Sequence, residues 1–157
     1  MPSYTANGTI SEDDEEHVLA DFCDLHGWKH THFSNETYTT SWKQKAKMKY
    51  LGVHSGIPDH LVLVPSAIDD ALVPVYIEMK REKGGTISDS QFEWINALKK
   101  AGQYVTVCEG GGEAIKFIDA VRYGNKKVLQ GFDERFEKKF QKRQQAIEKK
   151  ANKPVEF

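Results

Sequence analysis

The segment Val73-Pro-Val-Tyr-Ile-Glu-Met-Lys80 determines the predicted fold, because apolar and polar side chains alternate along it. Alternation with a period of two is typical of a β-strand that has one buried face. Glu78 and Lys80 are therefore predicted to be neighbours on the polar face of this strand. The apolar face carries Val73, Val75, Ile77 and Met79.

The preceding segment His60-Leu-Val-Leu-Val64 is a second predicted strand, with Asp59 at its start and Pro65 behind it as a stop. If the two strands pair as a hairpin, Asp59 and Glu78 converge at one end of the sheet with the Lys80 ammonium beside them. Two carboxylates with an open coordination position suit Mg²⁺, which keeps several waters and accepts phosphate oxygens. Such a site can polarise a phosphodiester and generate hydroxide, while the lysine positions the nucleophile.

Hydrophobic periodicity and turn residues place the other elements. We predict a helix between Ser11 and Gly27, a short strand over 28–33, a helix over 88–101, a strand over 104–108, a helix following Gly110–Glu113 and a final helix from Asp133 to about Ala151. The core thus has the order α-β-β-β-α-β-α, which is an α/β fold, a mixed sheet flanked by helices, and the final helix follows it. The 157 residues fit a single domain, with its core at about 11–123 and a basic amphipathic helix at about 132–151.

The first predicted helix places one carboxylate on its apolar face. Glu15 projects near the middle of the stripe, whereas Glu16 lies well off it. A carboxylate that points inward is costly unless something pairs with it, so Glu15 is a candidate to complete the metal site through a water. The alternative is a solvated acid. The stripe itself consists of Val18, Leu19, Phe22 and Leu25.

Charge is distributed unevenly along the chain. Residues 1–36 contain eight acids and one base, a net charge of −7, so the remainder carries +6 of the total of −1. This asymmetry predicts a basic surface that binds a polyanion. The densest basic segment contains Lys43, Lys45, Lys47 and Lys49. It is either a phosphate-binding patch or a solvated surface helix.

Two other observations restrict the class of protein. The two cysteines, Cys23 and Cys108, are expected to be reduced, buried thiols, since a domain of this size needs no disulfide. The sequence shows neither a signal peptide pattern nor the roughly 20 apolar residues of a membrane span. We therefore expect a cytoplasmic protein, which would act in the host cytoplasm if it is phage-encoded.

Several motifs in a fixed order resemble a known family. Pro58-Asp59 and Glu78-Met79-Lys80 match the Pro-Asp…Glu-x-Lys signature of the restriction-endonuclease-like nucleases. More closely, the chain from about residue 12 to 122 resembles the virus-type replication-repair nuclease (VRR-NUC) domain family. The matching segments are Gly52–Asp59, Ile77–Lys80, Gly84–Gln91, Leu98–Val107 and Glu113-Ala114.

The resemblance implies a restriction-endonuclease-like α/β fold and a site bound to Mg²⁺ or Mn²⁺. It implies that Asp59 and Glu78 are metal ligands together with the Met79 carbonyl, and that Lys80 is the catalytic lysine. Glu15 best matches the acid of the family's first helix, although the acidic run leaves Glu15 and Glu16 as alternatives. The chain departs from the family pattern at Gln103, where an apolar residue is expected.

The resemblance also implies DNA as the substrate. We expect a homodimer that cuts branched DNA such as Holliday junctions, with Asn35 and the four lysines contacting DNA. A monomeric flap or nicking nuclease is one alternative. The other is a DNA-binding module on the same fold that has lost catalysis.

Four further features have a structural alternative. Gln91 matches a family glutamine at the site, but Ser88-x-x-Gln91 is also a capping box. The stripe Phe132, Phe136 and Phe140 is core or a dimer contact, with a nucleotide-stacking surface as the weaker alternative. Asn35-Glu36 is either substrate contact or loop surface. A zinc site formed by His30, His32 and His54 is the weaker interpretation of these histidines, because no cysteine pair accompanies them.

Overall fold

The computed structural model describes residue 8, residues 10–33 and residues 41–152. The elements are α1 (Glu12–Leu25), β1 (His30–His32), α2 (Trp42–Tyr50), β2 (His60–Pro65), β3 (Leu72–Lys80), α3 (Asp89–Lys100), β4 (Tyr104–Glu109), α4 (Gly111–Tyr123) and α5 (Lys126–Ala151). The α/β class and the order of the predicted strands are confirmed. Among these residues no helix is both long and apolar enough to cross a membrane.

The four strands form one mixed sheet in the order β1-β2-β3-β4. The pairs β1–β2 and β2–β3 are antiparallel, and β3–β4 is parallel. The predicted hairpin of β2 and β3 is thus confirmed, with His60 opposite Ile77. This register places Asp59, the residue before His60, next to the end of β3 that carries Glu78 and Lys80.

The sheet is covered by helices on both faces. One core contains Leu19 and Cys23 of α1 and Phe117 and Ile118 of α4, packed on β2 and β3. On the opposite face α3 and α5 pack on β4 through Phe92, Ile95, Val105, Val107 and Phe136. Phe132 and Phe136 are buried and Phe140 packs beside them, so the phenylalanine stripe of α5 belongs to the core. Both cysteines are buried, free thiols, as expected.

The buried face of α1 differs from the predicted stripe. Its buried residues are Glu15, Leu19 and Cys23, an i, i+4, i+8 row. Leu25 lies two residues beyond Cys23, about 200° around the helix axis, and is 84% exposed. Val18, beside the row, is 43% exposed. The prediction that Val18 and Leu25 are core residues was wrong, whereas the prediction that Glu15 points inward is confirmed.

The final helix begins earlier than expected, at Lys126 rather than Asp133. Asn125 starts it, because its side chain accepts a hydrogen bond from the Val128 N–H at 3.2 Å. The lysine-rich segment also forms a helix, α2, none of whose residues is buried. The helix after Gly84-Gly85 begins at the predicted capping residue Ser88.

Candidate active site

Asp59 is held in position by the loop in front of β2 and by the backbone of β3. The Met79 N–H donates a hydrogen bond to Asp59 Oδ2 at 3.3 Å, and the Asp59 carbonyl accepts one from Phe33 N–H at 2.6 Å. The loop packs tightly on α3 at Gly56, where φ is 100° and a Cβ would lie 2.5 Å from the Ser90 carbonyl carbon. Only glycine fits this approach. The Asp59 carboxylate is therefore fixed beside the backbone of β3.

Glu78 is fully buried at the centre of the site. Its Oε1 accepts hydrogen bonds from Lys80 Nζ at 2.6 Å and from Gln91 Nε2 at 2.5 Å. Its Oε2 is buried and has no hydrogen-bond partner among the described residues. Burial, followed by the negative charge of Asp59, raises the pKa of Glu78 to about 8, although Lys80 acts in the opposite direction.

Gln91 contacts the site and caps α3 at the same time. Its Oε1 accepts the Ser88 N–H at 2.9 Å, and the Ser88 hydroxyl accepts the Gln91 N–H at 3.3 Å, which completes the predicted capping box. Its Nε2 is thereby directed at Glu78. The cap and the contact with Glu78 coexist, because they use different atoms of one amide group.

Lys80 is nearly enclosed, with 11% of its side chain exposed. Burial acts to lower its pKa, but the hydrogen bond and charge of Glu78, with the charges of Glu12 and Asp59, outweigh burial and raise it. Its Nζ lies 4.0 Å from Glu12 Oε1. Lys80 therefore stays protonated at neutral pH and acts as a hydrogen-bond donor and a positive charge rather than as a base.

Glu15 is buried, as predicted, but it does not face the other carboxylates. Its Oε2 accepts the Gly111 N–H at 2.7 Å, at the start of α4. A carboxylate is favoured there because the first amides of a helix lack intrahelical partners and carry partial positive charge. The expectation that Glu15 completes the metal site is thus at odds with the geometry, since its inward orientation is explained by α4.

Two other acids of α1 approach Asp59 instead. Carboxylate oxygens of Glu12, Glu16 and Asp59 lie within 4.8 Å of one another. Burial, followed by the charges of Asp59 and Glu12, raises the pKa of Glu16 to about 7, while His32 acts to lower it. Of the two acids left open by the sequence, the structure brings Glu16 and not Glu15 to Asp59.

The chemistry of these groups fits a hard divalent cation. Three oxygen ligands converge beside the fully buried Glu78, whose Oε2 has no partner among the described residues. Carboxylates this close repel one another, and a cation relieves that repulsion. The Met79 carbonyl also points toward the side of β3 where Asp59 lies. The N–H and C=O of one strand residue lie on the same side of the strand, and this N–H faces Asp59.

The sequence profile of the VRR-NUC domain matches residues 7–111, two thirds of the chain. The chain belongs to the VRR-NUC domain family. A solved structure described as a VRR_NUC domain protein shares the fold with a TM-score of 0.56 at 22% identity, covering 71% of this chain and 88% of that one. The search of curated proteins found no significant match. Because VRR-NUC domains are nuclease domains, the function of this chain is of the nuclease type.

Sequence reasoning missed Glu12 and preferred Glu15 to Glu16 in this VRR-NUC domain. The two residues are four apart, so they lie on one side of the first turns of α1. This spacing is visible in the sequence. It was not decisive, because the acids of the run 12–16 together cover most of the helix circumference.

The predicted DNA-binding residues are partly located. Lys43, Lys45, Lys47 and Lys49 all lie on α2 and are exposed. Trp42 at the start of this helix and Tyr50 at its end are also exposed. Asn35 and Glu36 lie outside the described residues.

Several bases of α5 have partners within the VRR-NUC domain. Arg135 donates to both carboxylate oxygens of Glu113 at 2.7 Å. Lys139 Nζ lies 2.8 Å from Glu109 Oε1, and Arg143 Nη2 lies 2.6 Å from Asp89 Oδ1. These bases hold α5 against the rest of the domain. Fewer bases of the helix are therefore available to bind phosphate than its composition suggests.

The three histidines of the zinc interpretation do not form one cluster. His30 Nε2 lies 2.8 Å from Asp24 Oδ1, and His54 is exposed in the loop after α2. His32 instead approaches His60 and Glu16, and ligand atoms of these three residues lie within 4.8 Å of one another. Burial, followed by His32 and His30, lowers the pKa of His60 to about 4.

Proposed function

We propose that this VRR-NUC domain is a Mg²⁺- or Mn²⁺-dependent endonuclease that hydrolyses phosphodiester bonds in DNA. The observation that carries the proposal is the convergence on Glu78 of Lys80, Gln91 and Asp59, from three different segments of the chain. A buried carboxylate with one partnerless oxygen is costly unless a cation or proton satisfies it. This arrangement is expected of a catalytic site and is expensive for a purely structural one.

Each residue has a distinct part in the proposed reaction. Asp59, Glu78, Glu16 and the Met79 carbonyl hold the cation, with Glu12 beside them. When bound, the cation polarises the phosphodiester and lowers the pKa of the attacking water. Lys80, which is protonated, donates hydrogen bonds that orient the nucleophile and stabilise negative charge on the phosphoryl oxygens.

Gln91 acts as a positioning residue. Its Nε2 holds Glu78 Oε1, so that Oε2 is left for the cation. Outer groups of this kind fix the orientation of metal-binding carboxylates. Because α3 fixes the amide through its cap, the orientation of Glu78 is coupled to the start of that helix.

DNA binding is proposed to occur through phosphate contacts that do not read sequence. The exposed lysines of α2 supply positive charge at one end of the loop that leads to Asp59. The exposed Trp42 and Tyr50 rings offer apolar surface for unpaired bases. Asn35 completes the proposed set. Binding of this kind weakens steeply with salt.

By analogy with stand-alone family members, we propose a homodimer that cuts branched DNA, especially Holliday junctions. A two-fold dimer places two sites on two strands, which suits a four-way junction. A monomeric flap or nicking nuclease is the alternative within enzymes. An inactive DNA-binding module is disfavoured, because Asp59, Glu78 and Lys80 are all present.

The decisive experiment compares cleavage of labelled DNAs by the purified chain in Mg²⁺, Mn²⁺ and EDTA. A four-way junction, a flap, a nicked duplex and a linear duplex are the substrates. We expect metal-dependent cleavage with preference for the junction, and loss of cleavage with retained binding for Lys80→Ala. Lys83→Ala, at an exposed lysine three residues on, is the matched control and should cut normally. Binding of every DNA without cleavage of any in either metal would refute the enzyme proposal.

The dimer is tested separately by light scattering. One chain has a mass of 17.9 kDa, so the proposal expects about 36 kDa at micromolar concentration. The mass of a single chain, in the presence and absence of junction DNA, would favour the monomeric flap or nicking nuclease.

A further inference from the structure

Two imidazoles and one carboxylate meet beside the proposed catalytic site. His32 of β1 and His60 of β2 are directly opposite in the antiparallel ladder, and their ring centroids are 4.8 Å apart. Glu16 of α1 completes the group: its Oε2 lies 3.3 Å from His32 Nε2 and 4.0 Å from His60 Nε2. Three elements thus direct three donor atoms at a common point.

His60 supplies an independent observation that a ligand belongs there. The residue is 3% exposed, and its Nε2 has no hydrogen-bond partner among the described residues. A separation of 4.0 Å from Glu16 is too long for a hydrogen bond. Buried polar atoms are nearly always satisfied, so a partnerless imidazole nitrogen aimed at two other donors calls for an explanation.

We propose that His32, His60 and Glu16 bind one transition metal ion of the Zn²⁺ class, at a site distinct from the all-oxygen site at Asp59. Two histidines and one glutamate are a known ligand set for zinc with a fourth position open. In tetrahedral geometry with bonds of about 2.0–2.2 Å, neighbouring ligand atoms lie about 3.3–3.6 Å apart. The observed 3.3 Å meets this requirement, whereas the 4.0 Å separation must shorten when the metal binds, and all three donor atoms already lie within 4.8 Å of one another.

The ligand chemistry separates the two sites. Imidazole nitrogen favours zinc, copper, iron and nickel, whereas Mg²⁺ takes oxygen ligands. Glu16 belongs to both groups. A transition metal at the histidines therefore competes with, or bridges to, the cation at Asp59 through one shared carboxylate. The site itself does not depend on the proposed nuclease activity.

The test uses the full chain, stripped of metal and titrated with Zn²⁺ by calorimetry and with Co²⁺ by visible absorption. The histidine site should take up one equivalent, and Co²⁺ bound there should give the intense d–d bands of a low-coordinate site that contains nitrogen. His32→Ala should lower Zn²⁺ affinity at least about tenfold. This variant should fold, because 46% of the His32 side chain is exposed. His60→Gln, which retains side-chain volume at the buried position, should have the same effect.

Two control variants make the result specific. His54→Ala removes an exposed histidine outside the cluster and should bind Zn²⁺ like the wild type. Asp59→Asn removes the all-oxygen site and should retain the Co²⁺ spectrum. Wild-type Zn²⁺ affinity in His32→Ala, or loss of the Co²⁺ bands in Asp59→Asn but not in His32→Ala, would overturn the proposal. Since no DNA is present, these outcomes are independent of whether the chain is a nuclease.

Discussion

Gln91 donates a 2.5 Å hydrogen bond to Glu78 and so joins the cap of α3 to the buried carboxylate of the site. Both ends of the amide are engaged, because its oxygen accepts from the cap residue and its nitrogen donates to Glu78. Secondary structure and chemistry are thus coupled through one side chain. The coupling can be broken at one atom while the other contact is kept.

Gln91→Glu is predicted to keep the cap and impair the site. A glutamate oxygen still accepts the Ser88 N–H, since Glu is as suitable as Gln in a capping box. The lost N–H donor leaves a second carboxylate against Glu78, so we expect metal affinity and cleavage rate to fall about 10- to 100-fold. Gln103→Glu, outside the site, is the control. Unchanged metal affinity in Gln91→Glu would show that the contact with Glu78 is incidental.

Substitutions of Glu15 and Glu16 are predicted to have different effects, the first on stability and the second on metal binding. Glu15→Ala removes the buried acceptor of the Gly111 N–H and should lower the free energy of unfolding by about 1.5–3 kcal/mol. Glu16→Ala removes a carboxylate at Asp59 and should weaken Mn²⁺ binding with a smaller effect on stability. Urea unfolding and calorimetric Mn²⁺ titration measure the two effects. If Glu15→Ala instead weakened Mn²⁺ binding and Glu16→Ala lowered stability, Glu15 rather than Glu16 would be the metal ligand.

Close packing of α1 and α4 is tested at two adjacent glycines. A Cβ on Gly111 would lie 2.8 Å from Val18 Cβ and 2.9 Å from the Glu15 carbonyl oxygen, so Gly111→Ala should cost about 1–3 kcal/mol. A Cβ on Gly112 meets nothing within 4 Å. Gly112→Ala is the matched control and should be neutral or stabilise by up to about 1 kcal/mol. Equal urea midpoints for the two variants would contradict this packing.

The part of the site that local patterns encode could be predicted from the sequence. Alternation along residues 73–80 fixes Glu78 and Lys80 on one face, and the hairpin brings Asp59 to them. Capping chemistry fixes Gln91 at the start of a helix. Each of these depends on residues that are near one another in the chain or in paired strands, so spacing alone was sufficient.

The spacing of residues in the sequence could not identify partners that are far apart along the chain. The helical period showed that Glu15 points inward, but its partner Gly111 is 96 residues away. The basic composition of α5 was visible, whereas the acids that pair with it, Glu109 and Glu113, come from the end of β4 and from α4. The His32–His60 pair likewise depends on the register of β1 against β2.

The Arg135–Glu113 pair is predicted to make stability depend on pH in the acid range. Burial acts to raise the pKa of Glu113, but the hydrogen bonds from Arg135 and from the Glu109 N–H outweigh burial and lower it below 4.5. A group whose folded pKa is depressed stabilises the fold above its unfolded pKa, and that contribution is lost as the pH falls through the folded value. The wild type should therefore lose stability on acidification through this interaction.

Glu113→Gln removes the titrating group, so the stability difference from the wild type measures its contribution. Urea unfolding from neutral pH down to about pH 3 should show the wild type more stable at neutral pH, with the gap narrowing below about pH 4.5. Glu137→Gln, at an exposed glutamate of α5, should show a smaller gap. A gap for Glu113→Gln that stays constant or widens on acidification would mean that Arg135 does not hold a charged Glu113.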